Sequence, residues 1–159
     1  MSFAYELKKE IAQNRPNLVH HKAALAYGLI RFAKYYSADH AALHTEHRFV
    51  ARLYSTVIAD LIQLHYSITT QEKLAGESQY VYVVRVDSAG DRARLLEYFG
   101  APQAGLNAEF FAGEGDFGAF IAGAYLACGA FSDPNKGYHL EFSLTDSALA
   151  EQFAQVLAE

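Results

Sequence analysis

Apolar positions recur along this chain with two different rhythms. Val50, Leu53, Tyr54, Val57, Ile58 and Leu61 stand three and four apart, which is one face of an amphipathic helix over about His47 to Gln63. Tyr80-Val81-Tyr82-Val83-Val84-Arg85-Val86 is instead a compact β-branched and aromatic run, the clearest strand in the chain. It pairs in a hairpin with a strand over Tyr66 to Glu72, joined around Gly76. A first helix, capped by Ser2 and ending near Gln13, sets Phe3, Leu7 and Ile11 on one side before Asn14-Arg15-Pro16-Asn17 breaks it. A strand is expected over Ala41 to Glu46 and a short helix from about Asp91 to Phe99, stopped by Gly100-Ala101-Pro102. Asp133-Pro134-Asn135-Lys136-Gly137 is a turn. The strand that follows, Tyr138 to Ser143, alternates with Tyr138, Leu140 and Phe142 inward and His139 and Glu141 outward. Thr145 then caps a final helix.

Two further segments follow neither rhythm. His21 to Tyr36 and Asp116 to Phe131 are apolar nearly all round, and each carries small residues four apart: Ala24 and Gly28 in the first, Ala119, Gly123 and Ala127 in the second. Glycine inside a helix costs about 1 kcal/mol relative to alanine, so its use here requires a reason, and close approach of a second backbone supplies one. These two helices are expected to pack on each other through Ala24, Gly28, Gly123 and Ala127. The element order is then helix, strand, helix, two strands, helix, followed by helix, strand, helix. The second series copies the first and stops partway, which is the pattern of an internal repeat. Residues 1–159 are read as one domain, with a first repeat over 1–100, a linker over 101–115 that lacks periodicity, and a partial second repeat over 116–159. By the first copy, two strands and one helix would be expected beyond Glu159.

Composition narrows the function classes. Apolar residues at 52% and charged residues at 19% describe a globular chain able to bury a core. The only cysteine, Cys128, forms no internal disulfide and fits a reducing compartment such as the cytoplasm. Met1 to Asn14 lacks the apolar stretch of a secretory signal, and the apolar run Phe117 to Phe131 is shorter than the roughly 20 residues a membrane span needs. Net charge is −5, the opposite of the basic balance that phosphate-gripping proteins usually show.

The layout resembles the LAGLIDADG homing-endonuclease fold: α+β, with two αβαββα-type repeats of which the second is incomplete. More narrowly, three segments resemble the N-terminal region of the WhiA family, regulators of sporulation and cell division in Gram-positive bacteria. They are Met1-Ser2-Phe3-Ala4-Tyr5-Glu6-Leu7-Lys8-Lys9-Glu10; Ala124-Tyr125-Leu126-Ala127-Cys128-Gly129-Ala130-Phe131 with Asp133-Pro134 and Gly137-Tyr138-His139-Leu140-Glu141-Phe142; and, less closely, Val81-Tyr82-Val83-Val84-Arg85-Val86. The resemblance implies a transcription regulator in which a degenerate LAGLIDADG domain stands beside a helix-turn-helix DNA reader. No such reader is expected within residues 1–159. The chain is expected to be either a shortened form or a product that has lost the reader, and in the second case an interaction or dimerisation module.

The resemblance also sets the candidate chemistry. A LAGLIDADG nuclease holds divalent metal between one acid at the foot of each motif helix. Laid on this chain, those positions fall on Ala33 and Cys128, neither a magnesium ligand, so no catalytic residue and no metal or cofactor is expected. Asp39 and Asp133 lie beyond the helix ends, in turns. His20-His21 occupies a place where family members often carry a cysteine pair, but the matching place near Gly115-Asp116 holds no second pair, so these are read as helix-start histidines. His44 and His47 straddle a strand–helix junction. Cys128, in an apolar run without a basic neighbour within a turn, reads as a buried small residue. The candidate DNA-facing residues are Lys73, Arg85 and His139, with Glu141 opposing them. Tyr80 and Tyr82 fit stacking on bases or the core. DNA, contacted weakly or through a separate helix-turn-helix domain, is one expected partner, and a full-length relative or a second copy docking on an unpaired sheet edge is another.

Overall fold

The computed structural model describes residues 3–14, 18–63, 68–75, 79–131 and 139–158. Helices α1 (Phe3–Gln13), α2 (Val19–Arg31), α3 (Arg48–Ile62), α4 (Ala89–Phe99), α5 (Asp116–Cys128) and α6 (Ser147–Ala158) alternate with strands β1 (Tyr35–Tyr36), β2 (Ala41–Thr45), β3 (Ile68–Ala75), β4 (Gln79–Val86), β5 (Gly129–Phe131) and β6 (Leu140–Phe142). β1 to β4 form one antiparallel sheet in the order β1-β2-β4-β3, and β5 pairs with β6 in a second. The architecture is α+β, and α5-β5-β6-α6 follows the order α2-β1-β2-α3. Each glycine-bearing helix is followed by a hairpin where the sequence suggested a single strand. β1 and β5, at two and three residues, are too short to show a period of their own.

α2 and α5 touch each other more extensively than any other pair of helices among the described residues. The reason is at Gly28 and Gly123. A methyl group on Gly28 would stand 2.7 Å from the Ala124 amide nitrogen and closer still to the Phe120 carbonyl oxygen. One on Gly123 would stand 2.8 Å from the Leu29 amide nitrogen and closer still to the Leu25 carbonyl oxygen. Each glycine therefore faces backbone, not side chain, and the fit leaves no room for even one carbon. Ala24 and Ala124 are fully buried in the same seam, while Ala127, one turn nearer the helix foot, is half-buried.

The core builds outward from this pair. Tyr27 of α2 stacks on Phe99, Phe110 and Phe120, with centroids 5.8, 4.6 and 5.7 Å away. α3 turns Val50, Leu53, Tyr54, Val57 and Ile58 inward, as its periodicity requires, and packs on α1, α2, β2 and β4. Ser88 caps α4 by accepting the Asp91 amide. α6 closes the domain with Leu149 and Phe153, the latter 4.7 Å from Phe32. Among the described residues no helix is long and apolar enough to cross a membrane.

Several expectations need correction. Leu140 is exposed although it shares a strand face with Phe142, because only Phe142 reaches the core. The cap of α6 is Asp146, whose carboxylate accepts the Leu149 amide, and not Thr145, because Asp146 is the residue immediately before the first helical position, Ser147. The connector over 101–115 is not unstructured: it holds two 3₁₀ turns, Pro102–Ala104 and Ala108–Phe111, anchored by α2. The Ser2 cap, the break over 15–17, the turns at Gly76 and Asp133–Gly137, and Tyr66 and Tyr138 lie outside the described residues.

The glycine seam makes a paired prediction. Gly28→Ala gains helix propensity of about 1 kcal/mol but must push two backbones apart, so a net loss of about 1–3 kcal/mol in chemical denaturation is expected. Gly118 lies in the same helix as Gly123 with nothing within 4 Å of its would-be methyl. Gly118→Ala should therefore stabilise by about 0.5–1 kcal/mol.

Candidate nucleic-acid interface

Strand pairing assigns side chains to the two faces of the main sheet. Tyr82, Val84 and Val86 of β4, with Leu43 of β2, face the core beneath α3. The opposite face carries Arg85 of β4 level with Thr69 and Ala42, Val83 level with Gln71 and His44, and Val81 level with Lys73. Tyr35 joins the same face through its pairing with Ala42. Lys73 and Arg85, two of the three residues singled out from sequence, thus share one open surface. His139 does not: it borders the separate β5–β6 ribbon, where its ring nitrogen lies 3.6 Å from the Glu141 carboxylate. Tyr82 is on the core side, with the Arg48 guanidinium 5.9 Å over its ring, and Tyr80 is half exposed on that same side. Neither tyrosine lies on the open surface.

That surface is cationic although the chain is acidic. Burial lowers the pKa of His44, and the positive charges of Lys34, Lys73, His40 and Arg85 lower it further. Four basic side chains therefore converge on one imidazole. Asp87 sits 3.9 Å from the Arg85 Nε and accepts a hydrogen bond from the Thr69 hydroxyl. Lys34 lies over the exposed Tyr35 ring, which also stacks on His40 at 4.0 Å.

At one end of this surface a cleft of about 280 Å³ opens at the foot of α2 and α5. Ala33 and Cys128, the two positions where the resemblance would place metal-binding acids, both line it, together with Arg31, Lys34, His44 and Asp146. Burial pushes the Cys128 thiol up to about 12, against the opposing charge of Lys8, and the thiol donates to the Ala124 carbonyl. It is a neutral side chain at pH 7. Lys8 is far away in sequence, which is why no basic neighbour is evident there. Asp146 is engaged as the α6 cap. Asp39 lies in the exposed turn before β2.

Arg31 is the residue that sequence reasoning passed over. It is only 4% exposed, donates through Nη2 to the Pro102 carbonyl at 3.1 Å, and lies 5.1 Å over the Tyr36 ring, while its Nε has no hydrogen-bond partner. A guanidinium with an unsatisfied donor beside a cleft is suited to an anion. The available signal was a single arginine closing the apolar stretch from Ala23 to Ile30.

Residues 117–159 match the family model described as the WhiA LAGLIDADG-like domain. A protein named "Probable cell division protein WhiA" from Lachnoclostridium phytofermentans is 26% identical over 99% of this chain and 54% of its own length. Its namesake from Exiguobacterium sibiricum is 30% identical over 91% of this chain and 48% of its own. The chain spans about half the length of the curated relatives it matches. Full-length DUF199/WhiA from Thermatoga maritima has a similar fold, with a TM-score of 0.62 at 16% identity, over 99% of this chain and 51% of that one. The N-terminal LAGLIDADG domain of DUF199/WhiA gives a TM-score of 0.57 at the same identity, over 76% of its length. On the matching family model, the relatives and the shared α+β architecture together, this chain is a LAGLIDADG-like domain of the WhiA family.

Proposed function

We propose that this chain is a non-catalytic, DNA-contacting domain of a transcriptional regulator of cell division and sporulation, working in the cytoplasm beside a separate DNA reader. Residues 1–159 act as one domain, with the repeat boundaries read from the sequence. The observation that carries this reading is the convergence of Lys34, Lys73, His40 and Arg85 around His44, next to a cleft bordered by Ala33 and Cys128. A basic face on an acidic chain suits phosphates, and an alanine with a neutral thiol does not suit metal-dependent cleavage. Contact through so few cations is weak and positions a duplex without reading its sequence.

A specific observation also favours a second reading, as an interaction module. β3 is the outer strand of the main sheet and carries an exposed Leu74, so its edge offers backbone groups to another chain. A full-length relative or a second copy would pair there. Sedimentation showing only monomer at tens of micromolar would exclude the second copy.

Gel-shift titration with duplex DNA at low salt tests the first reading. With about three phosphate contacts, log K should fall against log salt with a slope of about −3. Lys73→Ala and Arg85→Ala should each weaken binding on every sequence and reduce that slope by about 1; binding without salt dependence would remove the electrostatic reading.

The pH dependence has a definite sign. His44 is held below the ordinary imidazole range by burial and by its cationic neighbours, so it is neutral in the free domain at pH 7. A phosphate offsets those charges and raises the pKa, so binding takes up a proton and tightens as pH falls into the imidazole range. His44→Ala should lose most of that dependence.

A further inference from the structure

The opposite end of the helix pair carries a second cluster. α2 and α5 run in the same sense, so their starts meet about 18 Å from the cleft, the length of a 13-residue helix. Two helix N-termini brought together place two positive dipole ends side by side. The side chain set between them is Asp116, the first residue of α5, which is 4% exposed. Its Oδ1 lies 2.5 Å from His20 Nδ1 and 3.6 Å from His21 Nε2, and His21 Nε2 is 2.7 Å from the Glu114 carbonyl oxygen. Both imidazoles thus direct a ring nitrogen at the same small volume. One ligand atom from each of the three residues lies within 4.8 Å of the others.

The loop before α5 keeps that volume open. A methyl group on Gly113 would stand 2.5 Å from Asp116 Oδ2, and one on Gly115 would stand 2.7 Å from His21 Nε2. Gly115 also adopts φ 80°, which favours glycine. A hollow of about 260 Å³ adjoins the cluster and is lined by His20, Glu109 and Asp116. It gives access from solvent and brings a second carboxylate within the same wall.

From these residues we infer a divalent-cation site of the zinc type, formed by His20 Nδ1, His21 Nε2 and an Asp116 carboxylate oxygen, with the fourth position taken by water or Glu109. Two imidazole nitrogens and one carboxylate oxygen form a borderline donor set that suits zinc and its transition-metal neighbours and disfavours magnesium and calcium. Binding replaces the hydrogen bonds that His20 and His21 make with Asp116 and Glu114: His20 carries its proton on the exposed Nε2, and His21 carries its proton on Nδ1. The cation offsets the carboxylate and pins the start of α2 to the start of α5. The site is structural, and it stands independently of DNA contact.

The test uses the whole chain with Zn²⁺ and, as a spectroscopic probe, Co²⁺. The expected result is 1:1 binding at about 10 µM or tighter with the intense visible absorption of low-coordinate cobalt. Tm should rise by about 5–10 °C at a hundredfold excess over Kd. Asp116→Asn and His21→Gln should each weaken binding at least about tenfold. If either fails to fold, His20→Gln carries the test, because that side chain is 55% exposed. No binding at about 100 µM metal overturns the proposal, as does equal binding by the parent and His20→Gln, which would place the metal on other surface histidines.

Discussion

Everything in this domain is referred to one contact, the approach of two helix backbones at Gly28 and Gly123. Each glycine sits against main-chain atoms of the partner helix, so the separation is fixed by peptide groups and not by deformable side chains. That rigidity has consequences at both ends. At the foot it sets the distance between Ala33 and Cys128, and hence the width of the cleft. At the start it brings His20 and His21 to Asp116. A looser pair would leave both places without defined geometry.

Charge is organised about the same axis. The chain carries an excess of acids, yet the open face of the main sheet gathers Lys34, His40, Lys73 and Arg85 around His44. Net charge governs solubility and long-range attraction, whereas contact depends on the local arrangement. The buried Arg31 adds to this face at the cleft, where its position over Tyr36 and its bond to Pro102 leave one donor unused. A chain-wide charge balance therefore says little about whether this surface meets phosphate.

Periodicity revealed α3, and β-branched composition revealed β4, because both elements bury a continuous stripe that leaves a mark at fixed spacing. The glycine helices were legible for the opposite reason: glycine is costly there and needs a cause. β1 and β5 were not, since two or three residues cannot display alternation. The interface was half legible. Lys73 and Arg85 could be picked out by charge and alternation, but the register that joins them to His44 across β2, β4 and β3 is a long-range fact. The same holds for His20 and Asp116, which are 96 positions apart. No local pattern announces a carboxylate arriving from so far along the chain.

The connector between α4 and α5 shows why a stretch without pattern need not be slack. Tyr36 donates its hydroxyl to the Gly100 carbonyl at 2.6 Å, Arg31 donates to the Pro102 carbonyl, and the Tyr27 hydroxyl accepts the Asn107 amide at 2.7 Å. Main-chain groups that a strand or helix would satisfy internally are satisfied by α2 and the residues just after it. The segment is thus free to vary in composition while its path stays nailed at three points. Changes in length are tolerable between those nails, so natural insertions in this stretch should cluster between Pro102 and Asn107.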